Sequence, residues 1–231
     1  MIINHDHRKY RQKQRSIGKG RFNGAYYYSV EICRYIIPFV RTDRNWITIG
    51  VPNIGVDHSI VFVHNNLHPE HYEWLCRYDD LILVCGIPET VDKVSHIGKA
   101  IYLPLSVKVS EIEPYRAVKT KDTAYVGRKG KRYGVEFPVG TDFIEGLPRE
   151  KLLAELAKYR RVYAVGRTAI EAKILNCEIL PYDERFPDPS IWKVIDSSDA
   201  AKMLQKQIDW IDKKGIGKEA DITIIDEGVV T

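Results

Sequence analysis

The sequence of 231 residues lacks any long apolar run. No stretch approaches the roughly 20 consecutive apolar residues that cross a membrane, and the polar first residues lack the apolar core of a signal peptide. We therefore expect a protein that neither spans a membrane nor is secreted, and we predict a cytoplasmic location.

Cysteine is also scarce, and its spacing excludes the common metal sites. Cys33, Cys76, Cys85 and Cys177 are scattered along the chain, without the paired spacing of metal ligands. No pair of carboxylates stands out at metal-ligand spacing either. We expect reduced structural thiols of a cytosolic protein and a function that needs no metal ion.

Acidic residues are nearly absent from residues 1–23, which hold most of the excess positive charge of a chain with a formal net charge of +4. With few apolar residues, this segment is predicted to be flexible until it meets a partner. A basic segment can bind nucleic acid through its phosphates. It can equally be a solubilising arm, and the sequence leaves both interpretations open.

Beyond this segment, short apolar strands alternate with helical patterns of about ten residues. Residues 59–64 (SIVFVH) and 81–85 (LILVC) are typical of buried strands. Such alternation predicts an α/β protein with parallel, doubly wound sheets. A polar, charged stretch at residues 110–122 predicts a linker between two parallel-sheet halves, residues 24–109 and 123–214, which face a cleft. Residues 215–231 form a tail in which 221–225 could be an edge strand.

The clearest local pattern, at residues 161–183, reads as strand, glycine turn, helix and strand. Gly166 allows the sharp turn, and Thr168 is a candidate N-cap or first-turn residue of a helix over 169–175. Such a turn aims backbone N–H groups and a positive helix end at a phosphate or nucleotide. Glu171 could accept a hydrogen bond from a sugar hydroxyl, or it could be a helix-dipole partner on a solvated face.

Three polar clusters follow predicted strands at the expected cleft, the usual ligand site of open α/β sheets. Cations beside a glycine turn suit a diphosphate, because Arg makes paired hydrogen bonds and Lys adds a point charge. Each cluster alone could be an ordinary polar strand end or a solvated turn. The clusters are His64, Asn65 and Asn66; Arg128, Lys129 and Lys131; and Gly166, Arg167 and Thr168 with Glu171.

Residues 165–172 (VGRTAIEA) resemble the nucleotide-sugar motif of glycosyltransferases with the two-Rossmann B-type fold. Residues 123–128 (TAYVGR) resemble the strand and Arg that begin the donor domain of that family. Residues 59–65 (SIVFVHN) are similar to its first-domain strand, whose His faces the transferred sugar. The resemblance covers about residues 59–213.

The resemblance implies two Rossmann-like halves, an acceptor-side domain at 24–109 and a nucleotide-sugar-binding domain at 123–214. It implies that Glu171 binds the ribose of the donor and that Arg128 with a following Lys holds the diphosphate. Two departures stand out. Many retaining members carry another Glu where this chain has Tyr163, and the first domain is short. The stereochemical outcome is therefore left open.

The leading hypothesis is a cytoplasmic glycosyltransferase that uses a nucleotide-diphosphate sugar, with UDP-sugar favoured, and no other cofactor. In it His64 orients the sugar or acts as base. Asp43, Asp57, His58 and Asp183 are rival bases. A non-catalytic nucleotide or nucleic-acid binding module is the alternative, and a sugar-nucleotide epimerase or hydrolase is a third hypothesis.

The acceptor is open between nucleic acid, including a modified DNA base, and a saccharide or lipid-linked acceptor. The basic first segment and Tyr26, Tyr27 and Tyr28 are compatible with nucleic acid. Their helical spacing predicts that at least one of these tyrosines lies in the core. Asn65, Asn66 and Tyr27 are the candidate residues on the acceptor side.

Overall fold

The computed structural model describes residues 2–4, 24–48, 57–63, 69–127 and 134–214. Two sheets, in which every strand pair is parallel, organise these residues. This confirms the predicted α/β class with two parallel sheets. The first sheet has five strands in chain order: β1 Ile2–Asn4, β2 Asn45–Thr48, β3 Ser59–Val63, β4 Leu81–Cys85 and β5 Lys99–Tyr102.

Strand β1 was not predicted from the sequence, which placed these residues in a flexible basic segment. It pairs with β2 in the register Ile2 to Trp46. Three residues are too few for a readable apolar pattern, so only the pairing reveals the strand. The rest of residues 1–23 lies outside the described residues, and its predicted flexibility stays a prediction.

Alternate side chains of the strands in the first sheet point to its two faces. Both faces are therefore apolar, and helices cover each of them. Ile60 and Phe62 face one core, and Val61 and Val63 face the other. The helices of this unit are α1 Gly24–Glu31, which continues as a π-helical turn Ile32–Ile36 and a 3₁₀ turn Ile37–Phe39, α2 Pro69–Leu75 and α3 Pro88–Val94. Helices α2 and α3 cover the core that contains Val61 and Val63.

The predicted linker is ordered and leads to the second sheet. Two 3₁₀ turns, Val109–Glu111 and Glu113–Tyr115, flank the fully buried Ile112, which packs in the core of the second unit. The elements of the second unit are β6 Lys121–Val126, β7 Asp142–Ile144, α4 Arg149–Leu156, β8 Tyr159–Tyr163, α5 Arg167–Ile174 and β9 Glu178–Leu180. In the sheet the strands have the order β7-β6-β8-β9.

The two faces of the second sheet are covered differently. Ala124 and Val162 face a core that they share with helices α4 and α5. On the other face Tyr125 packs in an aromatic cluster, with its ring centroid 4.3 Å from that of Phe137 and 5.6 Å from that of Tyr182. Doubly wound packing therefore describes the first sheet, whereas aromatic side chains pack on the second face of this one.

The last helix, α6 Ser197–Lys214, returns from the second unit to the first. Ala200, Leu204 and Ile208 on one of its faces are buried in the same core as Ile60 and Phe62 of β3. No helix within the described ranges is long and apolar enough to cross a membrane.

Candidate functional site

The second sheet has a topological switch point between β6 and β8. From β6 the chain turns to β7 on one side, whereas from β8 it continues to β9 on the other. Connections of one hand that run in opposite directions lie on opposite faces of a sheet, so the two loops diverge at the carboxyl ends of β6 and β8. Ligands of open α/β sheets bind in such a crevice.

A glycine in a left-handed conformation stands after each of these two strands. Gly127 has φ 116°, and Gly166 has φ 63° with ψ −140°, conformations that residues with a Cβ rarely adopt. A Cβ placed on either glycine would meet no described atom within 4 Å. The glycines are therefore required by their backbone angles, and not by a close neighbour among the described residues.

The turn at Gly166 leads directly into helix α5, as the sequence predicted. Gly166 is the N-cap, so Thr168 lies in the first turn and is not the cap. The first helical hydrogen bonds run from the amides of Ala169 and Ile170 to the carbonyl of Gly166. The N–H groups of Arg167 and Thr168 thus have no acceptor within the helix, and they lie at the positive end of its dipole.

The side chains of Arg167 and Glu171 belong to a buried ion-pair cluster that joins the two units. Arg167 Nε donates to Glu171 Oε1 at 2.6 Å, and Arg167 Nη1 donates to Glu31 Oε2 of helix α1. Arg149 Nη1 at the start of α4 also donates to Glu171 Oε1. The four side chains form a neutral set that connects α1 with the first turns of α4 and α5.

Burial and charge act in opposite directions on the pKa values in this cluster. Burial would lower the pKa of Arg167, but the Glu171 and Glu31 carboxylates overcome this effect and raise it. Burial raises the pKa of Glu31, although Arg167 and the amide of Lys108 favour its charged form. Burial together with Glu31 raises the pKa of the Tyr28 hydroxyl. Arg167 therefore stays charged, and Tyr28 is no acid near neutral pH.

Two of the predicted donor-binding residues are more enclosed than the sequence suggested. The side chain of Glu171 is 3% exposed, and that of Arg167 is 8% exposed and already binds two carboxylates. Glu171 is thus neither on a solvated face nor fully open to a ligand. Its Oε1 holds two arginines, whereas its Oε2 accepts no hydrogen bond from the described residues.

Arg149 and Glu31 were not predicted from the sequence. Their contacts with residues 167 and 171 span 22 and 136 positions of the chain, so no local pattern shows them. Arg149 could have been noticed as the first residue of an amphipathic helix that begins at the carboxyl edge of the sheet. Tyr27, predicted on the acceptor side, is half-buried, with its ring centroid 5.0 Å from Arg149 Cζ.

Six predicted site residues lie outside the described residues, and their roles stay predictions. Three of them follow the end of β3 at Val63, and three follow Gly127 after β6. They are His64, Asn65 and Asn66, and Arg128, Lys129 and Lys131. Their positions in the chain are consistent with the carboxyl edges of the two sheets.

Three of the four rival bases lie at the opposite, amino edge of the first sheet. Asp43 precedes β2, and Asp57 and His58 precede β3. His58 Nδ1 is 2.6 Å from Asp80 Oδ2, and its Nε2 is 3.1 Å from Asp43 Oδ1. Hydrogen bonds to these two carboxylates raise the pKa of His58. This ion-pair cluster is remote from the switch point.

The fourth rival, Asp183, follows β9. Its carboxylate accepts hydrogen bonds from the Arg185 guanidinium, at 2.5 Å from Nε to Oδ1 and 3.0 Å from Nη2 to Oδ2. These bonds lower the pKa of Asp183. An aspartate held in this way is a weaker base than an unpaired one.

A surface cavity of about 360 Å³ lies away from the switch point, where β7 pairs with only the carboxyl half of β6. It is lined by Lys121, Asp142, Phe143, Ile144, Glu145, Leu147, Glu155 and Tyr159. In the described part of the chain, no group of three or more His, Cys, Asp or Glu side chains could hold a metal ion.

Comparisons with known proteins leave the family of this chain open. No family model, no curated protein and no solved structure matches it.

Proposed function

We propose that this chain is a glycosyltransferase that moves a sugar from a nucleotide-diphosphate donor to an acceptor hydroxyl. The single observation that carries the proposal is the switch point between β6 and β8. A left-handed glycine follows each of these strands, Gly127 after β6 and Gly166 at the start of helix α5. This arrangement suits the diphosphate of a nucleotide.

The donor is held by charge and by backbone amides in this proposal. Arg128 and Lys131, with Lys129 as a substitute, bind the diphosphate, and the amides of Arg167 and Thr168 assist them. Glu171 accepts a hydrogen bond from the ribose through Oε2, because Oε1 is engaged by two arginines. A UDP-sugar is the favoured donor.

The reaction is a substitution at the anomeric carbon of the sugar. The acceptor hydroxyl oxygen forms the new bond to this carbon, and the bond from the carbon to the diphosphate oxygen breaks. The bonding electron pair leaves with the diphosphate, whose developing negative charge the cations stabilise. His64 takes the hydroxyl proton. Cations and helix N–H groups suffice for this role, so we expect turnover without a metal ion.

The acceptor is either a nucleic acid, such as a modified DNA base, or a saccharide. The basic residues 1–23 favour nucleic acid because lysine and arginine neutralise phosphates. Asn65, Asn66 and Tyr27 remain the proposed acceptor-side residues. Binding of DNA would weaken steeply as the salt concentration rises, whereas binding of a neutral saccharide would not.

A thermal-unfolding screen against UDP, GDP, ADP, CDP and their sugars tests the donor site. A ligand at a hundred times its dissociation constant should add about 2.7 kcal/mol to the free energy of unfolding. We expect one nucleotide to stabilise the wild type, and Arg128→Ala and Glu171→Gln to reduce that stabilisation. Donor turnover is then measured with and without acceptor.

Lys93→Ala is the matched control, because Lys93 is an exposed cation in the last turn of α3, at the amino edge of the first sheet. It should leave the ligand effect unchanged. Since Glu171 is buried, its variant is compared with the wild type without ligand as well. If no nucleotide or nucleotide sugar stabilises the wild type, the proposal is wrong.

A non-catalytic nucleotide or nucleic-acid binding module is the second candidate. It is favoured by the engagement of Glu171 Oε1 in a buried cluster, a structural role, and by Tyr163 where many retaining relatives of the resembled family carry Glu. Such a module would bind a nucleotide without consuming a nucleotide sugar. Turnover of the donor separates the two candidates.

A further inference from the structure

We infer that Arg149 is a further diphosphate-binding residue of the donor site, which contacts the diphosphate through N–H groups that its hydrogen bond to Glu171 does not use. The inference rests on the proposed function and adds a residue to it. The two arginines that bind Glu171 differ in their number of hydrogen bonds and in their exposure.

Arg167 is fixed in place. Its guanidinium binds Glu171 through Nε and Glu31 through Nη1, and its side chain is 8% exposed. Moving Arg167 would leave the buried Glu31 without its cation and Glu171 with Arg149 alone, which is costly. Arg167 therefore anchors the cluster and is a poor candidate for direct contact with a ligand.

Arg149 is held less completely. Within the described ranges its one hydrogen bond runs from Nη1 to Glu171, although a guanidinium has five N–H donors. Its side chain is 18% exposed, more than twice the exposure of Arg167. Without the Arg149 side chain, Glu171 keeps its hydrogen bond to Arg167, so no buried carboxylate is left without a cation.

The position of Arg149 places it beside the switch point. Helix α4, which begins with Arg149, connects the carboxyl end of β7 to β8 and thus starts at the same edge of the sheet as the Gly166 turn. The ring centroid of Tyr27 from the first unit lies 5.0 Å from Cζ, a cation–π contact that stabilises the guanidinium. A diphosphate at this edge offers oxygens in the paired geometry that arginine prefers.

The two contacts of Arg149 are compatible, because the hydrogen bond to Glu171 uses one N–H group and leaves others for phosphate oxygens. Without a donor, Arg149 compensates the charge of Glu171. With a donor, Arg149 also binds the diphosphate, and Glu171, still oriented by Arg167, accepts a hydrogen bond from the ribose through Oε2. Binding of the phosphates should then depend on Arg149, whereas binding of the ribose should not.

Calorimetry with three ligands tests this phosphate-specific role: inorganic pyrophosphate, the nucleoside diphosphate that gives the largest stabilisation among UDP, GDP, ADP and CDP, and its nucleoside. The variants are Arg149→Gln, Arg149→Lys and the control Lys151→Gln, an exposed cation two positions along the same helix and so on another face. Thermal unfolding without ligand verifies that each variant folds.

For Arg149→Gln we expect at least a tenfold loss of affinity for pyrophosphate and for the nucleoside diphosphate. Affinity for the nucleoside should stay within twofold of the wild type, because the nucleoside carries no phosphate and Glu171 keeps its hydrogen bond to Arg167. Arg149→Lys should lose less, and Lys151→Gln should stay within twofold of the wild type for every ligand.

Equal losses for the nucleoside and for its diphosphate would overturn the inference, since they indicate that Arg149 only maintains the fold of the site. Unchanged diphosphate affinity in Arg149→Gln would overturn it too. Both results leave the proposed function standing. If the wild type binds no nucleotide, the proposed function fails, and this inference fails with it.

Discussion

At the scale of single residues, burial decides what the charged side chains of the site can do. Arg167, Glu171 and Glu31 are among the few buried charged residues of the described chain. Removing one partner from such a set costs about 3–5 kcal/mol, because the remaining charge is left buried. These side chains therefore hold the two units together.

The turn glycines show a second residue-scale principle. Gly166 has room for a Cβ, so the restriction at this position comes from its backbone angles and not from a close neighbour. The sequence predicted the sharp turn from the glycine alone. It could not predict that the side chain of the next residue, Arg167, would point into the protein.

His58 gives a pH-dependent prediction at this scale. Its pKa is raised in the folded protein by Asp80 and Asp43, above the unfolded value of about 6.5. Its contribution to stability is therefore fully present below pH 6.5 and is lost as the pH rises through the folded pKa. Since the side chain is 42% exposed, we expect a contribution of no more than about 1 kcal/mol.

His58→Asn tests this contribution, because His58 has φ 55° and asparagine tolerates that conformation. The difference in the free energy of unfolding between wild type and variant, measured in urea from pH 5 to 9, should shrink as the pH rises. A difference that is constant over this range would contradict the assignment.

At the scale of elements, α6 decides how the two units are joined. The helix starts at Ser197, whose hydroxyl is 3.4 Å from Glu31 Oε1, and it runs along the first sheet to Asp212, which accepts a hydrogen bond from Arg44 at 2.9 Å. The last part of the chain thus completes the core of the first unit. A chain without α6 would leave that core open.

Leu204→Ala measures how much this packing contributes. Leu204 is fully buried against the first sheet, so we expect the variant to lose about 2–5 kcal/mol of unfolding free energy. Met203→Ala is the matched control, because the neighbouring Met203 is 37% exposed and should cost much less. Equal losses in urea denaturation for both variants would contradict the packing described for α6.

At the scale of the whole molecule, the two sheets should behave as one cooperative unit. The Glu31–Arg167 pair crosses between them, Val107 bridges Asp196, and α6 belongs in sequence to the second unit but in packing to the first. Loss of either unit would expose buried charge and apolar surface of the other.

We therefore expect a single unfolding transition. Tryptophan fluorescence, in which Trp46 and Trp74 report on the first unit and Trp192 on the second, should give the same urea midpoint as far-UV circular dichroism. Two separated midpoints would show that the units unfold independently and that the buried contacts between them contribute little.

The sequence by itself determined the α/β class, the two parallel sheets and the glycine turn before α5, because these features depend on local apolar periodicity and on the conformational freedom of glycine. Residues 110–122, which the sequence predicts as a linker, contain the buried Ile112, so this stretch packs in the core of the second unit. The sequence did not predict strand β1 or the aromatic face around Tyr125, because neither has a regular local pattern of apolar residues.

Only the tertiary structure decided which side chains meet. It brought Arg149 to Glu171 and Glu31 to Arg167, and it placed His58 at the amino edge, away from the site. The physical reason is that strand order and helix packing set these contacts. Both depend on residues far apart in the chain, and local sequence patterns do not show which distant residues will be in contact.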